Sequence, residues 1–363
     1  MNITWYNAPG VEDTPDWLQH IYNIKSNKNI LWINYRTIDQ RFMVEYTTLT
    51  LQTAQNSDEK YDKIVMYIGS EAPDWQYCVN VAVAFGYTDI ATIDGSFVSK
   101  VQPGPHSELL GKIKYQHLTN PFFLNCYHPS WEDDSQLLPE TREHKLVYLA
   151  RIARPHRVTL AVELLERNLV EETVLSCGWV NWDYAIFSKY IPEKYKRMFP
   201  IVLSEESHIE HTSNLTNWGV NPKIRASVFN LIAESGFDHI PTDNTLQYWH
   251  KSLVTEKTIK AYILRQFPIW LAPYGAVQEQ RDLGFDVFDD IIDHSYDNEY
   301  RPYHRLEMVA KEVERLYNRY SIEEMRTLLS DRWDRLERNV EHYKGMTPDV
   351  YLKEFLNWAK GDE

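Results

Sequence analysis

Thr255, Glu256 and Lys257 stand side by side where a helical pattern begins, and their types suit one piece of chemistry. Threonine is a good N-cap, and a carboxylate in the first turn suits the positive end of the helix dipole. A cation beside a helix start is what a phosphate group seeks. Ile259, Tyr262 and Ile263 then recur at helical spacing. Upstream, the apolar run VFNLIAES ends in Glu234 and Ser235. Downstream, FPIWLAP is short, apolar and carries Pro268 and Pro273 near its ends, which suits a buried strand. The unit therefore reads strand, loop, helix, strand. It gathers Glu234, Ser235, Glu256 and Lys257 at strand ends and a helix start, where open α/β sheets bind their ligands.

The rest of the chain must position these residues. KNILWINY (28–35) reads as a first strand, and 41–54 fits either a strand or a helix. YDKIVMYIG (61–69) is the clearest early strand, and the loop SEAPDW follows it. QYCVNVAVAFGYTDIATIDG has the texture of a short strand, a turn and another short strand. Residues 127–144 are polar and acidic and contain two prolines, so they read as a linker. KLVYLA then opens a new α/β unit as a strand, ARIARPHR is a loop, and VTLAVELLERN is an amphipathic helix with Leu160, Leu164 and Leu165 on its apolar face. ETVLSCGW is the next strand, and a helix is expected near Pro192 to Met198. After the central unit come a helix, the short strand FDVF and a loop. From Arg305 to Lys360 the pattern is almost wholly helical, with alternating charges.

Composition narrows the class. The chain has 363 residues, 43% of them hydrophobic, enough for two cores. Only 13 are glycine, which argues against glycine-rich phosphate loops, and neither GxGxxG nor GxxxxGK[ST] occurs. No apolar run reaches about 18 residues, so no membrane span is expected. The first residues have neither a basic lead nor an apolar stretch, so no signal peptide is expected. The three cysteines, Cys78, Cys126 and Cys177, are far apart and fit a reducing, cytoplasmic setting with no metal framework. A net charge of −14 disfavours affinity resting on a broad polyanion contact. With 12 Trp and 24 Tyr, most rings belong to the core and a minority to a cleft, where they suit stacking on sugars or bases.

Three stretches together resemble the α1,3-fucosyltransferase family of inverting glycosyltransferases, and a broader set of phage and bacterial sugar transferases. The first is Phe229, Glu234-Ser235, Val254-Thr255-Glu256-Lys257 and Phe267-Pro268-Ile269. Ser235 and Leu253 stand where the family has Asn and Tyr. The second is Arg157 before VTLAVELL, the place of the family's arginine for the donor diphosphate. The third is KIVMYIGSEAPDW, in which Glu71 takes the place of the catalytic base.

The resemblance implies a GT-B-like α/β fold, with two Rossmann-like domains facing a cleft and a helical C-terminal tail. The expected divisions are an acceptor-side domain at 1–126, the linker at 127–144, a donor-binding domain at 145–330 and the tail at 331–363. It implies transfer of a sugar from a nucleotide diphosphate donor to a hydroxyl of a glycan, with inversion. Glu71 would be the base, Arg157 and Lys257 would neutralise the diphosphate, and Glu234, Ser235, Thr255 and Glu256 would complete the donor site. No cofactor and no obligate metal are implied. Glu132-Asp133-Asp134 and Asp289-Asp290 read as solvated charge, and His156 and His239 as surface or core residues. Two alternatives stand beside this reading. One is a phage-type transferase acting on hydroxymethylated bases in DNA, with Arg36, Arg41, Lys100, Lys112 and Lys114 lining a basic groove. The other is a binding protein that kept the fold and lost the chemistry.

Overall fold

The computed structural model describes residues 2–7, 29–34, 43–57, 60–69, 75–94, 96–97, 114–119, 137–180, 182–202, 222–234, 237, 252–253, 255–346, 353 and 356–360. The chain is a mixed α/β protein with parallel sheets, and it divides into two compact units. The first comprises Met1–Asn125, Thr242–Lys251 and Met346–Glu363, and the second Cys126–Pro241 and Ser252–Gly345. The expected linker thus falls inside the second unit, and the expected tail is shared between the two at Gly345. No helix among the described residues is long and apolar enough to cross a membrane.

In the first unit the strands β1 (Asn2–Asn7), β2 (Asn29–Asn34), β3 (Lys63–Gly69), β4 (Asp89–Asp94) and β5 (Lys114–Thr119) lie in chain order, all parallel. Parallel neighbours need a crossover connection. This is why 43–55 resolves as helix α1 (Met43–Gln55), and why QYCVNVAVA, expected as a strand, is instead helix α2 (Trp75–Ala84). The valines lean toward strand, but Cys78, Val79 and Ala82 form one helical stripe. That stripe packs with Leu51 and Ala54 of α1 against Leu31, Ile33, Ile64, Met66 and Ile90. The C-terminal residues are bound into this unit. The Lys63 ammonium pairs with Asp89 at 2.9 Å, donates to the Trp358 carbonyl and sits 4.6 Å from the centroid of the Trp358 ring. The Trp358 indole donates to Asp89 at 3.0 Å.

The second unit is built on β6 (His144–Ile152), α3 (Pro155–Glu166), β7 (Thr173–Val180), β8 (Ser227–Ala233), α4 (Glu256–Ile263) and β9 (Phe267–Leu271). The order across the sheet is β9-β8-β6-β7, all parallel. The chain therefore moves outward from β6 to β7, then returns to the other side of β6 to place β8 and β9. With right-handed crossovers, α3 and α4 fall on opposite faces. Both β8 and β9 are buried along their whole length, as continuous apolar runs in a covered parallel sheet should be. After β9 come α5 (Ala276–Asp282), α6 (Pro302–Arg319), α7 (Ile322–Asp331) and α8 (Trp333–Gly345). Helix α6 packs with α3, and α8 with α4. The expected strand FDVF does not form. Phe288 adopts φ 62°, and Phe285, Val287 and Phe288 are buried as an irregular core segment instead.

Candidate functional site

The reversal of strand order between β6 and β8 creates a topological switch point, and the crevice outside the carboxyl ends of those strands is where such sheets bind ligands. The chain places several ionisable side chains there. Segment 151–157, expected as a loop, is instead the end of β6 followed at once by α3, so His156 and Arg157 lie in the first turn of a helix. Pro155 at the helix start explains the abrupt change, because its ring fixes φ and its missing N–H is one the first turn leaves unpaired anyway.

Arg157 bridges the switch point. It is 3% exposed, and its guanidinium donates to the carbonyls of Ile152 at 3.3 Å and Ala233 at 2.9 Å, the last residues of β6 and β8. Its own carbonyl accepts from the Tyr148 hydroxyl at 2.9 Å. Burial pulls its pKa down, and Arg154 adds to that, while Tyr148 and Glu234 oppose it. Arg157 thus braces the floor of the crevice. His156 is equally buried, and its Nε2 lies 2.9 Å from the Glu234 carbonyl. A carbonyl can only accept, so Nε2 carries the proton. The His156 ring rests 4.9 Å from that of Phe237. The Arg305 guanidinium also lies over Phe237, 4.8 Å from the ring centroid, and donates to the carbonyls of Phe237 and Ala272.

Above this floor stands the group that the sequence brings together. Glu234 directly follows β8 and is 2% exposed. Its Oε1 accepts from the Thr255 hydroxyl at 2.6 Å, and its Oε2 pairs with the Lys257 ammonium at 3.3 Å. Thr255 is the N-cap of α4, and its Oγ1 accepts from the Lys257 backbone N–H at 3.2 Å. The Lys257 ammonium also lies 3.3 Å from that hydroxyl. A buried carboxylate needs such partners, and these fix its orientation. Lys257 is the outermost member, with 19% of its side chain exposed. The arrangement presents an ammonium, a helix N-terminus and a fixed carboxylate in one place. It suits a ligand with both an anionic group and hydroxyls.

The remaining expected site residues are placed as follows. Glu256 is the first residue of α4. Glu71 and Ser235 lie outside the described residues, as do His239 and Glu132-Asp133-Asp134. Asp289 and Asp290 are tied to arginines rather than simply solvated. Arg281 holds Asp289 at 2.6 Å, and Arg332 and Arg335 hold Asp290 at 2.9 and 2.8 Å, which draws both carboxyls below their ordinary range against the opposing effect of burial. They line a polar cavity of about 590 Å³ with Arg315 and Arg319, which includes none of the crevice residues. Of the two readings given for His156, surface or core, the structure has the core one, while Arg305 was not singled out by sequence reasoning. Arg305 gave no signal, since a basic residue in an amphipathic helix reads as surface. Among the described residues, no three His, Cys, Asp or Glu side chains are grouped to hold a metal ion.

No protein-family model matches the chain, and no curated protein matches it in sequence.

Proposed function

We propose that the protein is an inverting glycosyltransferase of GT-B type that moves a sugar from a nucleotide diphosphate donor to a hydroxyl of a glycan. The second unit is then the Rossmann-like donor half. The observation that carries this reading is the Glu234–Thr255–Lys257 set at the switch point of a parallel sheet, beside the start of α4. A donor of this class has a diphosphate and several hydroxyls. Lys257 and the N-terminus of α4 meet the diphosphate, and Glu234 and Glu256 accept from hydroxyls of the sugar or ribose. Arg157 positions this set from beneath, holding the ends of β6 and β8 in register.

The reaction takes a proton from the acceptor hydroxyl, with Glu71 as the base. The acceptor oxygen then forms its bond to the anomeric carbon from the face opposite the leaving group. The bond from that carbon to the β-phosphate oxygen breaks, and its electron pair leaves with the nucleoside diphosphate. Cations and the helix end stabilise the charge that develops there. A net charge of −14 favours a glycan over DNA as the acceptor.

The test is a panel of nucleotide sugars incubated with the protein and assayed by chromatography for the free nucleoside diphosphate. The reading expects slow release from one donor class, lost in Lys257→Ala. Release from none of them, with and without glycan acceptors, overturns it in favour of a binding protein on the same fold.

A further inference from the structure

Residues 182–202 form a small lobe of the second unit that the donor crevice does not use. The lobe is pinned at both ends. Trp182 follows β7 and stacks on Phe187 at 5.4 Å and Phe199 at 5.9 Å, and Ile201 returns to pair with Cys177 of β7 through two backbone bonds of 2.8 and 2.9 Å. Gly178 permits this. It adopts φ +77°, and a Cβ there would lie 2.8 Å from the Trp182 ring. Phe187, Ile191 and Phe199 fill the interior.

The outside of the lobe is unusual. Among the described residues, eight large apolar side chains are prominently exposed, and four of them, Tyr184, Ile186, Met198 and Val202, belong to this short segment. The same segment carries Lys189, Lys194, Lys196 and Arg197 against only two carboxylates, Asp183 and Glu193. Asp183 is occupied as the N-cap of the short helix Tyr184–Phe187, accepting from the Ala185 N–H at 2.8 Å. Lys189 lies 5.0 Å from the Tyr190 ring and Lys194 4.7 Å from the Tyr195 ring, so long cationic stems run over aromatic faces. Lys194 pairs with Glu166 and Lys196 with Glu193, but both pairs lie on the surface, where such contacts are weak and exchange easily.

We infer that this lobe is a docking surface for an anionic lipid bilayer. Its aliphatic side chains would enter the acyl boundary, its tyrosines would sit at headgroup level, and its four cations would meet lipid phosphates. Each part of that match is a known preference of interfacial segments. The charge contrast with the rest of the chain strengthens it. A chain of net charge −14 is repelled by an anionic surface, so contact must be made through a local cationic segment. Exposed isoleucine, methionine and valine have no role on a phosphodiester backbone, which places lipid ahead of nucleic acid.

The full-length protein is sedimented with vesicles of pure phosphatidylcholine, and with vesicles in which about a third of the lipid is phosphatidylglycerol. A variant carrying Ile186→Asp and Met198→Asp is compared with one carrying Lys189→Glu and Arg197→Glu. All four positions are exposed or at the surface, so thermal melting should be unchanged. Partition onto the anionic vesicles is expected, weakened by salt, with about a tenfold loss in each variant. Failure of the wild type to sediment overturns the inference, as does equal retention of the aspartate variant. So does salt-sensitive retention on duplex DNA without retention on vesicles. None of these readouts involves the donor crevice, so the outcome is independent of the transferase reading.

Discussion

Two buried arginines mark the two ends of the sheet in the second unit, and their surroundings differ in a way that separates scaffold from site. Arg142 lies at the amino end. It is 0% exposed and donates to five carbonyls, those of Leu137, Arg225, Ser227, Leu264 and Arg265. Leu264 ends α4, and Arg225 ends the short helix Pro222–Arg225, so this cation caps the negative ends of two helices. Among the described residues no carboxylate pairs with it, and burial lowers its pKa to about 9. Arg157 lies at the carboxyl end and also holds strand-end carbonyls, but above it stand a carboxylate, a hydroxyl and a partly exposed ammonium. The polarity of α4 gives the reason. Its C-terminus is closed by a cation that belongs to the fold. Its N-terminus, which attracts anions, is left with a Glu234–Lys257 pair that reaches solvent on one side. A buried charge spent wholly on backbone carbonyls is architecture, whereas a charge pair with a partly exposed ammonium at a helix start is where the proposed ligand would sit.

The comparison is broken most directly at Arg142. Arg142→Met leaves buried carbonyls without donors and should cost about 4 kcal/mol in urea unfolding of the second unit, with ligand affinity of the folded fraction unchanged. A loss under about 1 kcal/mol would mean that the amino end is not held by this residue. Acid adds a second test, at a buried histidine of the segment that follows β9. His294 is buried, with Nδ1 2.8 Å from the Tyr296 hydroxyl and Nε2 2.8 Å from the Val287 carbonyl, and burial pushes its pKa down to about 4. Because the unfolded chain takes up this proton first, stability is full above about pH 6.5 and is lost as pH falls toward 4, by up to about 3 kcal/mol. Unfolding curves across that range should flatten in His294→Gln.

At the carboxyl end the effects should be smaller. Glu234→Gln can still accept from Thr255 but strips Lys257 of its counter-charge. It should cost about 1.5 kcal/mol, less than Arg142→Met, because the ammonium can turn to water. Thr255→Ala removes the N-cap of α4 and should cost about 1 kcal/mol, with Thr255→Ser restoring most of it. If Glu234→Gln proved as costly as Arg142→Met, the set would be scaffold like the other end.

Much of this architecture is legible in the chain. The runs that became β3, β6, β8 and β9 are apolar, short and punctuated, and the Thr255 cap with Ile259, Tyr262 and Ile263 marks α4 before any coordinates. The gathering of Glu234 with Lys257 follows from the strand–helix order alone. What the chain hides are effects of tertiary context. The valines of α2 point to a strand until the parallel pairing of β3 with β4 demands a crossover. Arg142 sits in a polar, proline-containing stretch that reads as a linker, and nothing local reveals that its guanidinium closes two helix ends. Arg157 reads as a free loop cation, yet the prompt start of α3 at Pro155 buries it under the crevice. The strand order that creates the switch point is likewise a long-range property, absent from any single segment.

The most direct measurement is calorimetric titration of the full-length protein with GDP, UDP, ADP and dTDP, repeated on Lys257→Ala. Lys257→Ala leaves the buried Glu234 carboxylate without its counter-charge and should cost about 3 kcal/mol, so its binding is compared at a temperature where both proteins are folded. The account predicts that one nucleoside diphosphate binds the wild type, and binds the variant at least about tenfold more weakly, the loss of one charge-assisted contact to phosphate. Binding of none, or equal binding by both proteins, would contradict the claim that the open end of this sheet is a donor site.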